Sequence, residues 1–473
     1  MNTSITRGYL MLTVIVFGSI LLTVLGALSS FVLTEDKLQS SATAKSRGLA
    51  IAEAGLEYYR WHLAHFPTDL QNGTGQPGPY TIPYNDPEGG QTGTISLAVV
   101  GNTACGQTTS ISIRSTGIPA ENVHAARTVV ARYAQPTVAQ YSYVLNSTVW
   151  AGSDRVISGP YHSNGGIRMD GTANAPVTSS LSSWLCTSAF GCAPDQTKEG
   201  VWGAGPNQSL WDYPVPQVDF AGIAADFTSL KTTAVATGLY FPRYSSGNSI
   251  GAAYWRGYHL IFNGNGTVTV YRVSATVRKY PTFLNPAEPQ IDRTLISNET
   301  LYGTYTIPAA CGLIFVEDNV WVEGIVDTKV TIVAANVTVT GVAPNAMLPN
   351  NLTYQATDGT DGLTLIAENN VLITPNSPNN MTLNGVFIAQ GGAFGRNYYG
   401  CPSSYEPRGT LTILGTTVSN LRTGTQWING CGSGSNAGYQ SRIDAFDRKL
   451  STDPPPFTPN TSTDYQFVDW RQE

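Results

Sequence analysis

The residues best able to do covalent chemistry in this 473-residue chain are six cysteines: Cys105, Cys186, Cys192, Cys311, Cys401 and Cys431. None forms a C-x-x-C pair, so neither a redox couple nor a zinc knuckle is spelled out. An even count without that spacing reads as structural disulfides, which persist outside the cytoplasm. Cys186 and Cys192 are near enough for a local loop, Cys401 and Cys431 bracket a Gly/Tyr/Asn-rich stretch, and Cys105 with Cys311 is what remains. By count alone about 15 connectivities stay open.

Of the five histidines (His62, His65, His124, His162 and His259), only His62 and His65 have helical metal-ligand spacing. With no cysteine or carboxylate beside them, they read as surface or packing residues. Glu317, Asp318, Glu323 and Asp327 crowd one stretch, where strand alternation puts most of them on the solvent face. Asp358-Gly359-Thr360-Asp361-Gly362 reads as a turn. There is no H-E-x-x-H, G-x-S-x-G, Walker loop or dinucleotide-binding glycine fingerprint. The paired carboxylates of a polysaccharide-cleaving enzyme are not visible either. The expectation is a protein without catalytic residues, bound metal or cofactor, whose function comes from architecture and location.

The elements that must carry such a function follow from composition. Charged residues make up 12% of the chain, with 48 glycines and 28 prolines, which excludes a charged disordered chain or a long soluble coiled coil. The net charge is −6, with seven lysines and no basic run, so the electrostatic footprint of nucleic-acid binding is missing. Many short strands joined by tight corners fit this composition.

From Tyr9 to Thr34 runs a stretch of 26 residues without charge, longer than the roughly 20 that cross a bilayer as a helix. Arg7 precedes it and Glu35 and Asp36 follow, so the short head is expected in the cytoplasm and the bulk outside. Ala27-Leu28-Ser29 also resembles a signal-cleavage site, which keeps a secreted alternative open. Beyond the span, Leu38, Ala42, Lys45, Leu49, Ala52, Leu56, Tyr59 and Leu63 step by four and three. This is one helical stripe that continues until Pro67 and packs against the protein's own domain.

Here the residues carry a resemblance. A short leader ending Arg7-Gly8, then Tyr9, a long apolar helix and AKSRGLAIAEAGLEYYR, with Ala50–Gly55 the most specific part, resembles the N-terminus of type IV pilin-like proteins, particularly minor pilins of the PilX type. The resemblance implies that a membrane-embedded prepilin peptidase cuts after Gly8 and methylates Tyr9. It also implies that the helix packs with other pilin-like subunits and assembly machinery at the cytoplasmic membrane. Major pilins of the family carry glutamate at the fifth mature position; here that position is Thr13. A carboxylate in the bilayer is costly and is kept for a partner, so its absence implies a minor or tip subunit.

The remainder predicts an α+β, mostly β chain. Residues 67–92 read as a turn-rich linker, and Thr94–Val100, Ser110–Ser115 and Arg127–Tyr133 as a small antiparallel meander. From 136 onward, Asn-Val pairs recur at Asn319, Asn336 and Asn370, the second interval twice the first, with Asn384-Gly385-Val386 nearby. They predict a parallel β-helix-like head; a β-sandwich is the alternative. Residues 175–300 read as an insertion in it, and the strand after Asp453-Pro454-Pro455-Pro456 as a cap on its open end. The expected division is therefore leader 1–8, helix 9–66, meander 67–135 and head 136–473. A displayed head suits adhesion to a surface carbohydrate or protein; a membrane-anchored β-helix enzyme acting on carbohydrate and a secreted adhesin are the alternatives.

Overall fold

The computed structural model describes residues 6–244, 256–283, 291–339, 341–432 and 434–473. Residues 1–5 of the expected leader, and parts of the stretch read as an insertion, lie outside the described residues. The chain is 42% strand and 19% helix: a long apolar N-terminal helix and a small antiparallel sheet, then a large sheet of parallel strands. It divides into two compact units, one of 1–102, 111–133 and 469–473, the other of 103–110 and 134–468.

In the first unit, helix α1 (Thr6–His65) lies beside strands β1 (Tyr80–Asn85), β2 (Gln91–Ala104), β3 (Gln107–Pro119) and β4 (Arg127–Ala134). The sheet order is β1-β2-β3-β4 with the C-terminal strand Gln466–Gln472 beside β4. Two expectations change here. The stretch read as a linker contains β1, whose Tyr-x-Ile-x-Tyr alternation sits among turn residues that masked it. The C-terminal strand joins this sheet rather than capping the head, because β4 offers it a free edge.

The sheet takes the later half of α1. Ala52, Leu56, Tyr59 and Leu63 are buried as the stripe predicts, but the buried face also takes in Ile51 and its earlier part runs through Ala44 and Gly48, while Leu38, Ala42 and Lys45 are exposed. The shift follows from close approach. A Cβ on Gly55 would sit 2.2 Å from Ser115 Oγ, and one on Gly117 would sit 2.1 Å from the Gly48 carbonyl oxygen. Only glycine lets helix and sheet backbones come that near.

The second unit is a three-faced parallel β-solenoid with an unexpected order of coils. Along one face the strands stack Trp211–Asp212, Val177–Ser179, Tyr161–Ser163, Tyr143–Leu145, Arg408–Ser419, Met381–Ala389, Gly362–Ala367, Lys329–Ala334, Leu313–Val316, Leu239–Phe241, every neighbour parallel. The first coil in sequence therefore lies in the middle. From Tyr143 the coils advance one way to Asp212. The chain then passes through 213–238, including helix α2 (Phe227–Thr237), to the far end, and the remaining coils advance back until Thr417-Val418-Ser419 pairs with Tyr143-Val144-Leu145. The stretch read as an insertion thus holds coils of both stacks. Among the described residues the hairpin Ser183–Cys186/Gln196–Glu199 and the antiparallel arm Thr267–Thr276/Ile296–Thr306 branch from it.

The two stacks meet at a seam. On a second face Arg442-Ile443-Asp444-Ala445 pairs with Arg155-Val156-Ile157-Ser158. On the third face the coils on one side run Val201-Trp202, Ile167–Met169, Val149–Ala151. On the other side they end at Gly424, which bridges Gly395. Among the described residues no ladder pair joins 149–151 to 422–428. Hydrophobic packing divides near the same place: Tyr143, Leu145, Val149, Tyr161 and Val177 form one cluster, and the aliphatic residues of the long stack form another.

Candidate functional site

The processing residues lie at the start of α1. Gly8 is in the helix, Tyr9 is 72% exposed, and the Thr13 hydroxyl donates to the Tyr9 carbonyl at 2.7 Å. Threonine thus satisfies its polar atom inside its own helix, whereas a carboxylate there would need a partner from outside. From Tyr9 to Leu33 the large apolar side chains are exposed, and the helix is long and apolar enough to cross a membrane.

At the other end of the helix, His62 is buried and its Nε2 lies 2.8 Å from Asp69 Oδ2. Backbone N–H donation from Gln71, followed by His62 and Gly73, holds the Asp69 carboxylate below its usual range. His65 bonds the Trp61 carbonyl. The pair at metal-ligand spacing is thereby pulled apart, one ring fastening the turn after the helix and the other folded on the helix itself. His124 sits in the short helical turn Val123–Ala125.

The cysteines are joined as Cys105–Cys311, Cys186–Cys192 and Cys401–Cys431. The hairpin turn that presents Cys105 has Cys105 at φ 52° and Gly106 at φ 77°. The loop closed by Cys401–Cys431 is tied to the flanking chain by the fully buried pair Arg396–Glu406; Arg396 also donates to the Tyr405 carbonyl, and Glu406 accepts from the Gly438 N–H.

The acidic stretch is corrected by the structure: Glu317 and Asp318 are buried, because both fall at the corner after the core strand Leu313–Val316 rather than along an alternating strand. Burial alone would raise the Glu317 pKa, but hydrogen bonds from Lys231 at 2.7 Å, Thr338 and Tyr240 hold it low. For Asp318 burial wins, pushing it up to about 7 despite donation from the Asn319 and Tyr244 N–H groups and the charges of Arg243 and Arg256. Asp327 accepts from the Gly266 N–H. Asp358 accepts from the Thr360 N–H and hydroxyl, an ordinary Asx turn.

Glu323 belongs to a group that sequence reasoning missed. His259 Nδ1 lies 2.9 Å from Glu299 Oε2, and its Nε2 2.9 Å from Glu323 Oε1. Burial would lower the histidine pKa, but the two carboxylates outweigh it and raise it to about 9. The three residues come from three strands, 40 and 64 positions apart from the histidine, so no local spacing announces them. The geometry is that of an imidazolium clamped between two anions. Among the described residues no three His, Cys, Asp or Glu side chains are grouped so as to hold a metal.

No known protein-family model matches the chain, and no curated protein matches it in sequence. Among solved structures it is similar to the competence-associated pilin ComZ from Thermus thermophilus at 13% identity, covering 91% of this chain and 98% of that one, with a TM-score of 0.31. A superposition that loose carries no argument about function.

Proposed function

We propose that the chain is a non-enzymatic, membrane-anchored minor pilin-like subunit that displays its β-solenoid head, with adhesion as the head's task. The observation that carries the reading is the division of α1. Its later half is seated on the five-stranded sheet, while its charge-free first half is exposed all round. The 17 exposed large apolar residues between Tyr9 and Leu33 need lipid or the helices of neighbouring subunits. The N-terminal resemblance supplies the kind of assembly: prepilin peptidase cuts after Gly8 and methylates Tyr9, and the helix then packs among other pilin-like subunits at the cytoplasmic membrane, with the head on the outer side. Thr13 suits a minor subunit, since it asks for no partner amine.

The test is the mature N-terminus. Mass spectrometry of membrane and sheared-filament fractions should find N-methylated Tyr9, and Gly8→Trp should leave the leader in place and remove the protein from filaments. A wild-type chain beginning after Ser29, or a Gly8→Trp chain processed normally, overturns the reading.

A further inference from the structure

The seam between the two stacks is closed by ladders on two faces and open on the third, and there the structure leaves a cleft of about 640 Å³. Its size falls within the roughly 300–1,000 Å³ of small-ligand sites. One wall is the edge strand at Trp150 with the corner holding Asp154, and the other is the segment Arg422–Ile428 with Trp427. We infer that this open seam binds the terminal sugars of a glycan. The inference deepens the reading of the head as the displayed part of the chain.

The chemistry of the walls argues for a sugar. A pyranose ring offers an apolar C–H face and a rim of hydroxyls. The cleft offers aromatic surfaces at Trp150, Phe283 and Trp427 interleaved with the Asp154 carboxylate, the Thr423 hydroxyl and the Gln426 amide. Thr423 is 5% exposed, yet its Oγ1 has no hydrogen-bond partner. An unsatisfied buried hydroxyl is costly to keep; Thr423 lines the cleft with its Oγ1 just beneath the surface, so a small shift of this wall on binding brings it to a ligand hydroxyl.

The walls are also fixed in advance. Ser188, Ala189 and Gly191 of the Cys186–Cys192 loop line the cleft, and the Arg422–Ile428 wall lies within the sequence closed by Cys401–Cys431. Arg422 Nη2 donates to the Ala189 carbonyl at 2.9 Å, with its guanidinium over Phe190, and Arg168 donates to the Phe190 carbonyl while stacking 4.0 Å from Trp150. Two arginines and two disulfides therefore hold the walls in place, which lowers the ordering cost of binding. The Arg422–Ala189 bond ties one wall to the loop.

Full-length protein in detergent, applied to an array of neutral, N-acetylated and uronic-acid oligosaccharides, should bind at least one sugar saturably. Titrated by calorimetry with that sugar, Thr423→Val should bind about tenfold more weakly while unfolding no earlier than wild type, because it removes a hydroxyl that has no partner in the fold. Ser188→Trp, a substitution at an exposed loop residue, should abolish binding by filling the cleft. Absence of binding across the array, unchanged affinity in both variants, or capture of extended peptides in place of sugars overturns the inference. Filament incorporation, measured in parallel, reports on the anchoring proposal alone, so the two can fail separately.

Discussion

The two stacks of the solenoid share one architecture and differ in how they are held. In the short stack the strands Tyr143–Leu145, Tyr161–Ser163 and Val177–Ser179 have 3 residues each and follow one another at short, nearly even intervals. In the long stack Met381–Ala389 has 9 residues and Arg408–Ser419 has 12. Its successive rungs at Leu313, Thr331, Thr364 and Val386 are unevenly spaced along the chain, the middle interval being much the longest. The long stack tolerates irregular corners because Val, Ile and Leu fill its interior, and nondirectional burial accepts variation in loop length. The short stack has a smaller core, in which Tyr143 and Tyr161 pack with Leu145, Val149, Ile157, Ile167 and Val177. A solenoid is stabilised by contacts between neighbouring coils, so the seam, where the stacks meet without chain continuity, is where specific bonds are most needed.

Those bonds are charged and buried. Arg442, fully buried, donates to Asp444 at 3.0 Å, to Thr425 at 3.0 Å and to the Tyr143 hydroxyl, which in turn donates to Asp444 at 3.1 Å. Tyr143 belongs to the short stack and the other three to the long one. Arg442→Met should therefore cost about 3–5 kcal/mol by leaving Asp444 buried without its cation. It should also split urea unfolding into two transitions as the stacks uncouple. Arg442→Met with Asp444→Leu should recover most of the loss. A single transition within about 1 kcal/mol of wild type in the single variant would show that the seam does not couple the stacks.

The next largest effect separates the stacks by pH. His259 in the long stack has its pKa raised to about 9. Its stabilisation, roughly 3 kcal/mol from a shift of this size, is complete below the unfolded value near 6.5 and disappears as pH rises to 9. His162 in the short stack has the opposite sign. Burial lowers its pKa, outweighing the hydrogen bond to Asn164, and its Nδ1 accepts from Thr178 in the neutral form. Its contribution is complete above about 6.5 and is lost as pH falls. Hydrogen exchange followed from pH 5 to 9 should thus expose the short stack first in acid and the long stack first in alkali. In Glu299→Gln/Glu323→Gln the alkaline loss should shrink. Identical pH profiles for the two stacks would remove this distinction.

The fold class was legible because its signals are local: a charge-free helix, a stripe at helical period, and strand runs between Gly, Asn and Pro. The coil order was not, since Tyr143 pairs with Thr417 from the opposite end of the head's sequence and nothing near either residue marks it. The seam site was invisible for the same reason. Thr423 and Trp150 are ordinary in sequence and acquire a cleft only where a ladder is missing. Glu317 and Asp318 were misplaced because alternation describes a strand and fails at a corner.

The asparagine pattern failed more narrowly, and it supplies the smallest expected effect. Asn319 and Asn370 do belong to a repeating corner, but the residue between them is Asn345, not Asn336. Asn345 N–H donates to Asn319 Oδ1 at 2.9 Å, and Asn345 Oδ1 accepts from the Asn370 N–H and Nδ2 at 3.1 and 3.0 Å. Asn370 Oδ1 then accepts from the Ala393 N–H at 2.8 Å. The steps are one coil each, matching the stacked rungs Val320, Ala346 and Val371. Asn345 precedes an alanine, so a search for Asn-Val pairs passes over it. Asn336 instead folds its side chain onto Thr338, Val339 and Val342, and Val337 is 38% exposed where Val320 and Val371 are fully buried. Asn345→Ala should cost about 1–3 kcal/mol, as expected for buried donors losing an acceptor. The lost hydrogen-exchange protection should fall at Asn370 and at the rungs on either side. Asn345→Asp, which keeps the accepting oxygens, should retain most of it. Asn336→Ala should loosen its own loop and leave those rungs protected. Equal loss of rung protection in Asn345→Ala and Asn336→Ala would mean that corner hydrogen bonds do not couple the coils of the long stack, and that its aliphatic interior alone holds them.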